Sequence, residues 1–249
     1  MTVHFIGVGP GSEDLLTIRG KKLINESPIC MYAGSLVSKK ILDFCPKNAV
    51  KKNTAYMDLD KIFYEFKKAE KKKLNVSRLH SGDLSIWSAI GEQIRLLKKE
   101  KIPYTITPGV PSFAAASAII EKELTLPGIS QSLILTRTSG RATQMPKSES
   151  IELMAKTRAT LAIHLSIQNL KELIEKLSPF YGEDCPIIIL YKISHPDQKI
   201  FMGTLKNIET RVPKSIKRTA LIIVGKVLDF EKFENSSLYS KNYKRRYKK

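Results

Sequence analysis

Cysteine is scarce in this chain. Its 249 residues hold three, Cys30, Cys45 and Cys185, widely spaced and without a CxxC. That excludes a disulfide framework and a thiolate zinc site, and favours reduced thiols that pack as small core or loop residues. Histidine is scarce too. His4, His80, His164 and His195 form no HxxxH or HExxH, so no metal is expected. No apolar run approaches the ~20 residues that cross a bilayer. Met1 to Ser12 lacks a basic segment followed by a signal-type apolar stretch, and a soluble cytoplasmic protein is expected. A G-x-S-x-G elbow is missing, as is any nucleophile with a paired base. Acids are outnumbered: 24 against 42 basic residues leaves a net charge of +18. Such a balance suits nucleic acid, anionic surfaces or acidic small molecules. Five lysines crowd residues 67–73, and six basic residues with no acid fill 241–249. These read as a solvated helix face and a basic tail, since no RNP-like or zinc-finger pattern accompanies them.

What is present is an alternation. Apolar residues make up 42% of the chain, enough for a real core. Strands are expected at 3–8, 29–32, near Val50, 74–79 and 104–107. Helices are expected at 17–26, 38–44 (with Ser38 as a possible N-cap), 58–73, 86–99 and 113–120. In the helix from Asp58, Leu59, Ile62, Phe63 and Phe66 fall at helical spacing. This βαβα rhythm predicts a largely parallel sheet with helices on its faces. "KELTLPGIS" at 122–130 reads as a boundary. Beyond it the pattern is mixed: strands at 132–137, 160–165, 186–191, 199–204 and 219–225, helices at 148–155 and 170–177, and a hairpin through "SHPDQ". The expected fold class is α/β in two domains: 1–121, with a largely parallel sheet, and 131–230, with a mixed sheet, followed by a basic tail at 231–249. No internal repeat is found.

Sites in parallel sheets lie beyond the carboxyl ends of the strands. Four loops leave those ends: "GPGS" (9–12), "AGSLV" (33–37), "SGDLS" (81–85) and "PGVPS" (108–112). All are rich in Gly, Pro and Ser. "GVGPG" fails the dinucleotide fingerprint, because Ser12 stands at the third glycine and Pro10 has no N–H to offer a pyrophosphate. Gly20-Lys21-Lys22 fails as a phosphate loop, with Leu15 at its first glycine. A tight turn that lets backbone approach a ligand is the better reading. Asp83, beside Gly82, has two readings on spacing: acceptor for a ligand's ribose or ammonium, or cap of the helix that follows, with capping favoured. His80 and His164 sit near strand ends, and each reads as a satisfied, partly buried histidine.

The segments "GVGPGSEDLLTIRG", "YAGSLVS", "RLHSGDLSIWSAIGEQI", "TPGVPSFAAASA", "LTLPGISQSLILTRTSGR" and "TALIIVG" resemble the tetrapyrrole methylases. The resemblance runs in order from Thr2 to about residue 247. "AGSLV" and "LTRTSGR" point to the branch acting on precorrin-4 in cobalamin synthesis. It implies two α/β domains with a cleft between them, a homodimer, and a folded S-adenosylmethionine whose methyl goes to carbon 11 of precorrin-4, giving precorrin-5. It places cofactor contacts at Pro10, Ser81, Gly82, Asp83, Ile86, Pro111, Ser112, Leu165, Ile193 and Ala220. Substrate contacts fall on Gly11, Ser35, Arg137 and Arg141, the arginines forking onto carboxylates. Asp83 becomes a ligand-facing residue and the catalytic candidate, and no metal, membrane or nucleic acid is required. Two positions depart from the family pattern: Leu84 stands where many members have Pro, and His195 where relatives often have Trp. Cobalt-precorrin-4 and uroporphyrinogen III are the alternative substrates, a protein-modifying diphthine-type methylase is a third reading, and a basic nucleic-acid-binding protein is the alternative of another class.

Overall fold

The computed structural model describes residues 1–140, 144–229, 233–241 and 243–244. The chain divides into two compact units, one of Met1–Ala115 with Ser194–Pro196, the other of Ala116–Ile193 with Asp197 onward.

The first unit is built on five strands: β1 Val3–Gly7, β2 Ile29–Tyr32, β3 Val50–Asn53, β4 Val76–His80 and β5 Tyr104–Thr107. They pair in the order β3-β2-β4-β1-β5 and every pairing is parallel. Both β1 and β4 are buried on two faces, as a parallel sheet requires. Between the strands run α1 Ile18–Asn25, α2 Lys39–Leu42, α3 Leu59–Lys71 and α4 Gly91–Lys99, and α5 Ser112–Ile119 follows β5. In α3 the residues at i, i+4 and i+7, Ile62, Phe66 and Ala69, turn inward. Phe66 meets the edge of the Phe5 ring at 6.4 Å. Together with Val3, Met31, Val76, Leu97 and Ile102 they form the core on one sheet face. Ile6, Val8, Ile24, Cys30, Ile41, Cys45 and Leu79 form the core on the other. All three cysteines are buried thiols.

Caps explain several helix starts. Thr17 Oγ1 accepts from Gly20 N at 3.1 Å, and Asp58 Oδ1 from Lys61 N at 2.8 Å. Ser38 does occupy the N-cap position of α2, but its side chain makes no cap bond. The helix expected from Ile86 begins five residues later, at Gly91. Trp87 and Ala89 have φ of 47° and 49°, which no α-helix admits, and Ser88 Oγ donates back to Leu84 O at 2.5 Å. The strand expected from Leu74 starts at Val76. Lys73 is left-handed (φ 55°), and Leu74 N donates to Ala69 O at 3.0 Å, so this stretch still closes α3. Lys101 (φ 56°) and Glu121 (φ 54°) follow α4 and α5 in the same conformation.

The second unit holds β6 Leu133–Arg137, β7 Thr160–His164, β8 Pro186–Tyr191, β9 Lys199–Thr204 and β10 Ala220–Val224, in the order β6-β7-β10-β8-β9. Only β6 and β7 pair in parallel. The β8–β9 pair is the expected hairpin. Its helices are α6 Ile151–Ala155, α7 Leu170–Tyr181 and α8 Ile208–Arg211. Expected from Ser148, α6 starts at Ile151 because Ser150 Oγ caps Leu153 N at 3.3 Å. Expected to end at Leu177, α7 runs on through Pro179 to Tyr181. Phe180 and Tyr181 pack on the core there, and Tyr181 Oη donates to Ala159 O at 2.5 Å. That anchoring outweighs the one N–H that proline removes. The core is aliphatic, with Leu161, Ile163, Leu173, Leu177, Ile187, Ile189, Ile222 and Val224 at its centre. No helix among the described residues is long and apolar enough to cross a membrane.

Candidate functional site

The four Gly-, Pro- and Ser-rich loops all leave the carboxyl edge of the first sheet, after β1, β2, β4 and β5. Three of them meet backbone to backbone. Gly9 N donates to Gly82 O at 3.1 Å and Gly82 N returns to Gly9 O at 2.7 Å. A Cβ on Gly109 would lie 2.2 Å from Gly82 O, and one on Gly7 would lie 2.6 Å from Gly109 N. Side chains at these two positions would drive the loops apart. At Gly82 the case differs. Its φ is +68° and a Cβ there would meet nothing within 4 Å, so its outer side is open. The loop thus offers bare peptide groups to whatever lies against it.

Asp83 ties this arrangement together. Its Oδ1 accepts from Ser85 N at 2.8 Å and from the Ser85 hydroxyl. Its Oδ2 accepts from Gly109 N at 2.9 Å, linking the loop after β4 to the loop after β5. Burial disfavours the ionised carboxyl, but the bonds from the Ser85 hydroxyl and from the backbone N–H groups of Gly109, Ser85 and Leu84 outweigh it. The pKa is held below the ordinary carboxylate value. The helix-capping role favoured on spacing is not taken, because α4 begins at Gly91 with Ile90 at its N-cap position.

Pro10 and Gly11 are buried, and Ser81, Gly82, Asp83, Ile86, Pro111 and Ser112 are half-buried along the same edge. Ser112 opens α5. Ser35 lies in the short turn after β2. The chain brings a late segment here as well. Ser194 Oγ accepts from Ser12 N at 3.0 Å, and a Cβ on Gly11 would lie 2.4 Å from His195 Cδ2. The imidazole therefore packs flush against the first glycine loop. Sequence reasoning marked His195 as a departure beside an expected substrate wall and missed Ser194, which has no local signal.

Arg137, Leu165, Ile193 and Ala220 gather at one edge of the second sheet. Arg137 pairs in register with His164, the residue before Leu165, while Ala220 pairs with Tyr191. The loop after β6 is held there by Ser166, a fully buried residue whose Oγ accepts from Thr138 N at 2.7 Å and donates to His164 O at 2.6 Å. Asn169 Nδ2 adds a bond to Thr138 Oγ1 at 2.8 Å. Leu165, Lys192, Ser194 and Thr219 all have φ between 49° and 62°. Left-handed residues without glycine cost about 1–3 kcal/mol each and cluster where surroundings over-determine them. Leu165 is 64% exposed, whereas Ile193 is buried. Arg141 lies outside the described residues, as do positions 231–232, 242 and 245–249 of the expected tail.

His80 is buried rather than partly buried, and its Nε2 has no hydrogen-bond partner among the described residues. Burial, with Arg78 adding to it, pushes its pKa down to about 3, and His164 is pushed down to about 4 by burial. Both imidazoles are neutral at pH 7. Among the described residues no three His, Cys, Asp or Glu side chains are grouped to hold a metal ion.

A glycine-lined edge of this kind suits close backbone contact with a small ligand, and comparison with known proteins gives that edge a family. The family model for tetrapyrrole (corrin/porphyrin) methylases matches residues 2–209. A precorrin-4 C(11)-methyltransferase from Sinorhizobium sp is 53% identical over 100% of this chain and 98% of its own length. A cobalt-precorrin-4 C(11)-methyltransferase from Methanocaldococcus jannaschii is 45% identical over 99% of this chain and 96% of its own length. The X-ray structure of a cobalt precorrin-4 methyltransferase, a cobalamin biosynthetic enzyme, superposes with a TM-score of 0.88 at 35% identity, covering 92% of this chain and 96% of that one. On this sequence, fold and loop arrangement, the chain belongs to the tetrapyrrole (corrin/porphyrin) methylases.

Proposed function

We propose that this protein transfers a methyl group from S-adenosylmethionine to carbon 11 of precorrin-4, giving precorrin-5 in cobalamin synthesis. The observation that carries the proposal is similarity at 53% identity along the whole chain to a precorrin-4 C(11)-methyltransferase. The open side of Gly82 supports it, since a ligand can lie on bare backbone between Ser81 and Asp83. When bound, S-adenosylmethionine supplies an activated methyl on a sulfonium, so transfer to a nucleophilic ring carbon is an in-line displacement.

The protein's task is then to hold and orient. In this reading Pro10, Ser81, Gly82, Asp83, Ile86, Pro111, Ser112, Leu165, Ile193 and Ala220 contact the cofactor. Asp83 keeps the loops after β4 and β5 at a fixed spacing through Gly109 N, and its remaining lone pairs serve the ligand. Gly11, Ser35, Arg137 and Arg141 contact the substrate, the two arginines forking onto its peripheral carboxylates. The net charge of +18 favours a polyanionic substrate at long range. A homodimer working in the cytoplasm completes the proposal.

Cobalt-precorrin-4 is the second reading, favoured by the 45% identity to the archaeal enzyme. The test is a reconstituted reaction with each substrate, generated by the upstream enzymes and followed by mass spectrometry. One added methyl on precorrin-4, dependent on protein and cofactor, supports the first reading. Methylation of the cobalt form alone supports the second, and no methylation of either refutes both.

A further inference from the structure

Arg78 is the centre residue of β4 and only 4% exposed. Burial lowers its pKa to about 10, so it stays a cation at pH 7. No carboxylate is paired with it among the described residues; its Nη1 donates to Thr54 Oγ1 at 2.8 Å and its Nε to Gln93 Oε1 at 3.2 Å. A buried cation with only neutral acceptors is costly, and an apolar side chain of similar volume would fill the space more cheaply. What the guanidinium secures lies one bond further on.

Gln93 is itself buried, and its Nε2 donates to Ala89 O at 3.0 Å. Ala89 and Trp87 are the two left-handed residues of the segment between Asp83 and α4. Each carries backbone strain, which persists only where neighbours impose it. The segment contains Ile86 and leaves Trp87 41% exposed. Its other end is fixed by Asp83 on Ser85, and its middle by Ser88 on Leu84.

We propose that Arg78 is a positioning residue: acting through Gln93 on Ala89, it holds the strained Leu84–Ile90 segment so that Ile86 and Trp87 are set against the bound ligand. The proposal rests on the reading of Ser81–Ile86 as cofactor-binding. The relay itself is independent of what binds.

Trp87 is the protein's single tryptophan, so its emission reports this segment alone. The decisive variant is Gln93→Glu. A carboxylate keeps an acceptor for Arg78 but loses the N–H that Ala89 O requires, so it severs the relay while keeping the buried cation paired. Arg78→Met removes the relay at its root. Full-length protein is compared by acrylamide quenching of Trp87, by S-adenosylhomocysteine titration calorimetry and by urea unfolding. Gln93→Glu is expected to unfold no earlier than wild type, to show a shifted and more quenchable Trp87, and to bind S-adenosylhomocysteine at least about tenfold more weakly, the scale seen when a residue that orients a ligand contact is lost. Leu173→Ala, in the core of the other unit, is expected to lower stability without moving Trp87. Unchanged quenching in Gln93→Glu overturns the proposal, even if Arg78→Met fails to fold. Altered quenching with unchanged affinity refutes the set of Ile86 and Trp87 against the ligand. Absence of binding by wild type refutes the methylase reading, and quenching in the free protein then still decides the relay.

Discussion

Asp83→Ala is the sharpest perturbation of the glycine-lined edge. The carboxylate accepts from the Ser85 hydroxyl and from the backbone N–H groups of Ser85, Leu84 and Gly109, and of these only Gly109 N belongs to a different loop. Hydrogen bonds to a charged group are worth about 1.5–3 kcal/mol each, and a half-buried donor left unsatisfied costs about 1–3 kcal/mol. Water replaces the carboxylate at exposed Ser85 more readily than at Gly109. The expected loss is therefore about 2–4 kcal/mol, read as a lower urea midpoint with unchanged m-value. The same substitution frees Gly109 to move from Gly82, so S-adenosylhomocysteine affinity should fall by at least about tenfold, or about 1.4 kcal/mol, in titration calorimetry. Asp83→Asn should lie between, since an amide offers one acceptor and turns its NH2 toward the other donor. Wild-type affinity in Asp83→Ala would refute the argument that this tie shapes the binding edge. Equal binding losses in Asn and Ala variants, with stability kept in Asn, would instead assign Asp83 a direct charge contact.

Other outcomes are expected. Gly109→Ala places a methyl 2.2 Å from Gly82 O. Overpacking of this kind costs about 1–3 kcal/mol, and the variant should lose cofactor binding in calorimetry before it loses its circular dichroism. Lys101→Gly relieves a left-handed lysine at the end of α4. The relief of about 1–2 kcal/mol exceeds the entropic cost of glycine, about 0.5–1 kcal/mol, so the melting temperature should rise by about 1–3 °C. The folded pKa of Asp83 is depressed, so its contribution is present above the unfolded value of about 3.9 and is lost as pH falls through the lower folded value. Loop stability, followed by amide exchange at Gly109, should be insensitive to this group between pH 5 and pH 8 and weaken only in stronger acid.

Much of the architecture was legible because short apolar runs alternate with Gly-, Pro- and Ser-rich loops. "ICMY", "YTIT", "PIIILY" and "KIFMGT" are strands at the residues read from sequence. The placement of Ser81–Asp83 and of Pro111 and Ser112 at a carboxyl edge follows from that alternation alone. The misplaced starts of α4 and β4 share one physical cause. Trp87, Ala89 and Lys73 adopt left-handed backbone although none is glycine or asparagine, so composition carries no trace of the turn. "SIWSAIGEQI" has helical apolar spacing, yet side-chain bonds at Ser85 and Ser88 compete with the helix over its first half. The helix read over 170–177 errs in the opposite sense: packing of Phe180 and Tyr181 on the core carries it past Pro179 to Tyr181. Ser194 was illegible as a site neighbour because its bond with Ser12 spans 182 residues.

That last contact bears on the order in which the protein can mature as it is synthesised. β1 sits between β4 and β5, so the first strand made lacks a lateral neighbour on one side until about residue 107 has emerged. The sheet can assemble then, but the bond from Ser12 to Ser194 closes across 182 residues. The loop after β1 therefore waits for the β8–β9 hairpin before its last partner arrives. A nascent chain halted before that hairpin would carry an assembled first sheet with an unclamped glycine loop, so the glycine-lined edge is a late product of translation even though most of its residues are made early.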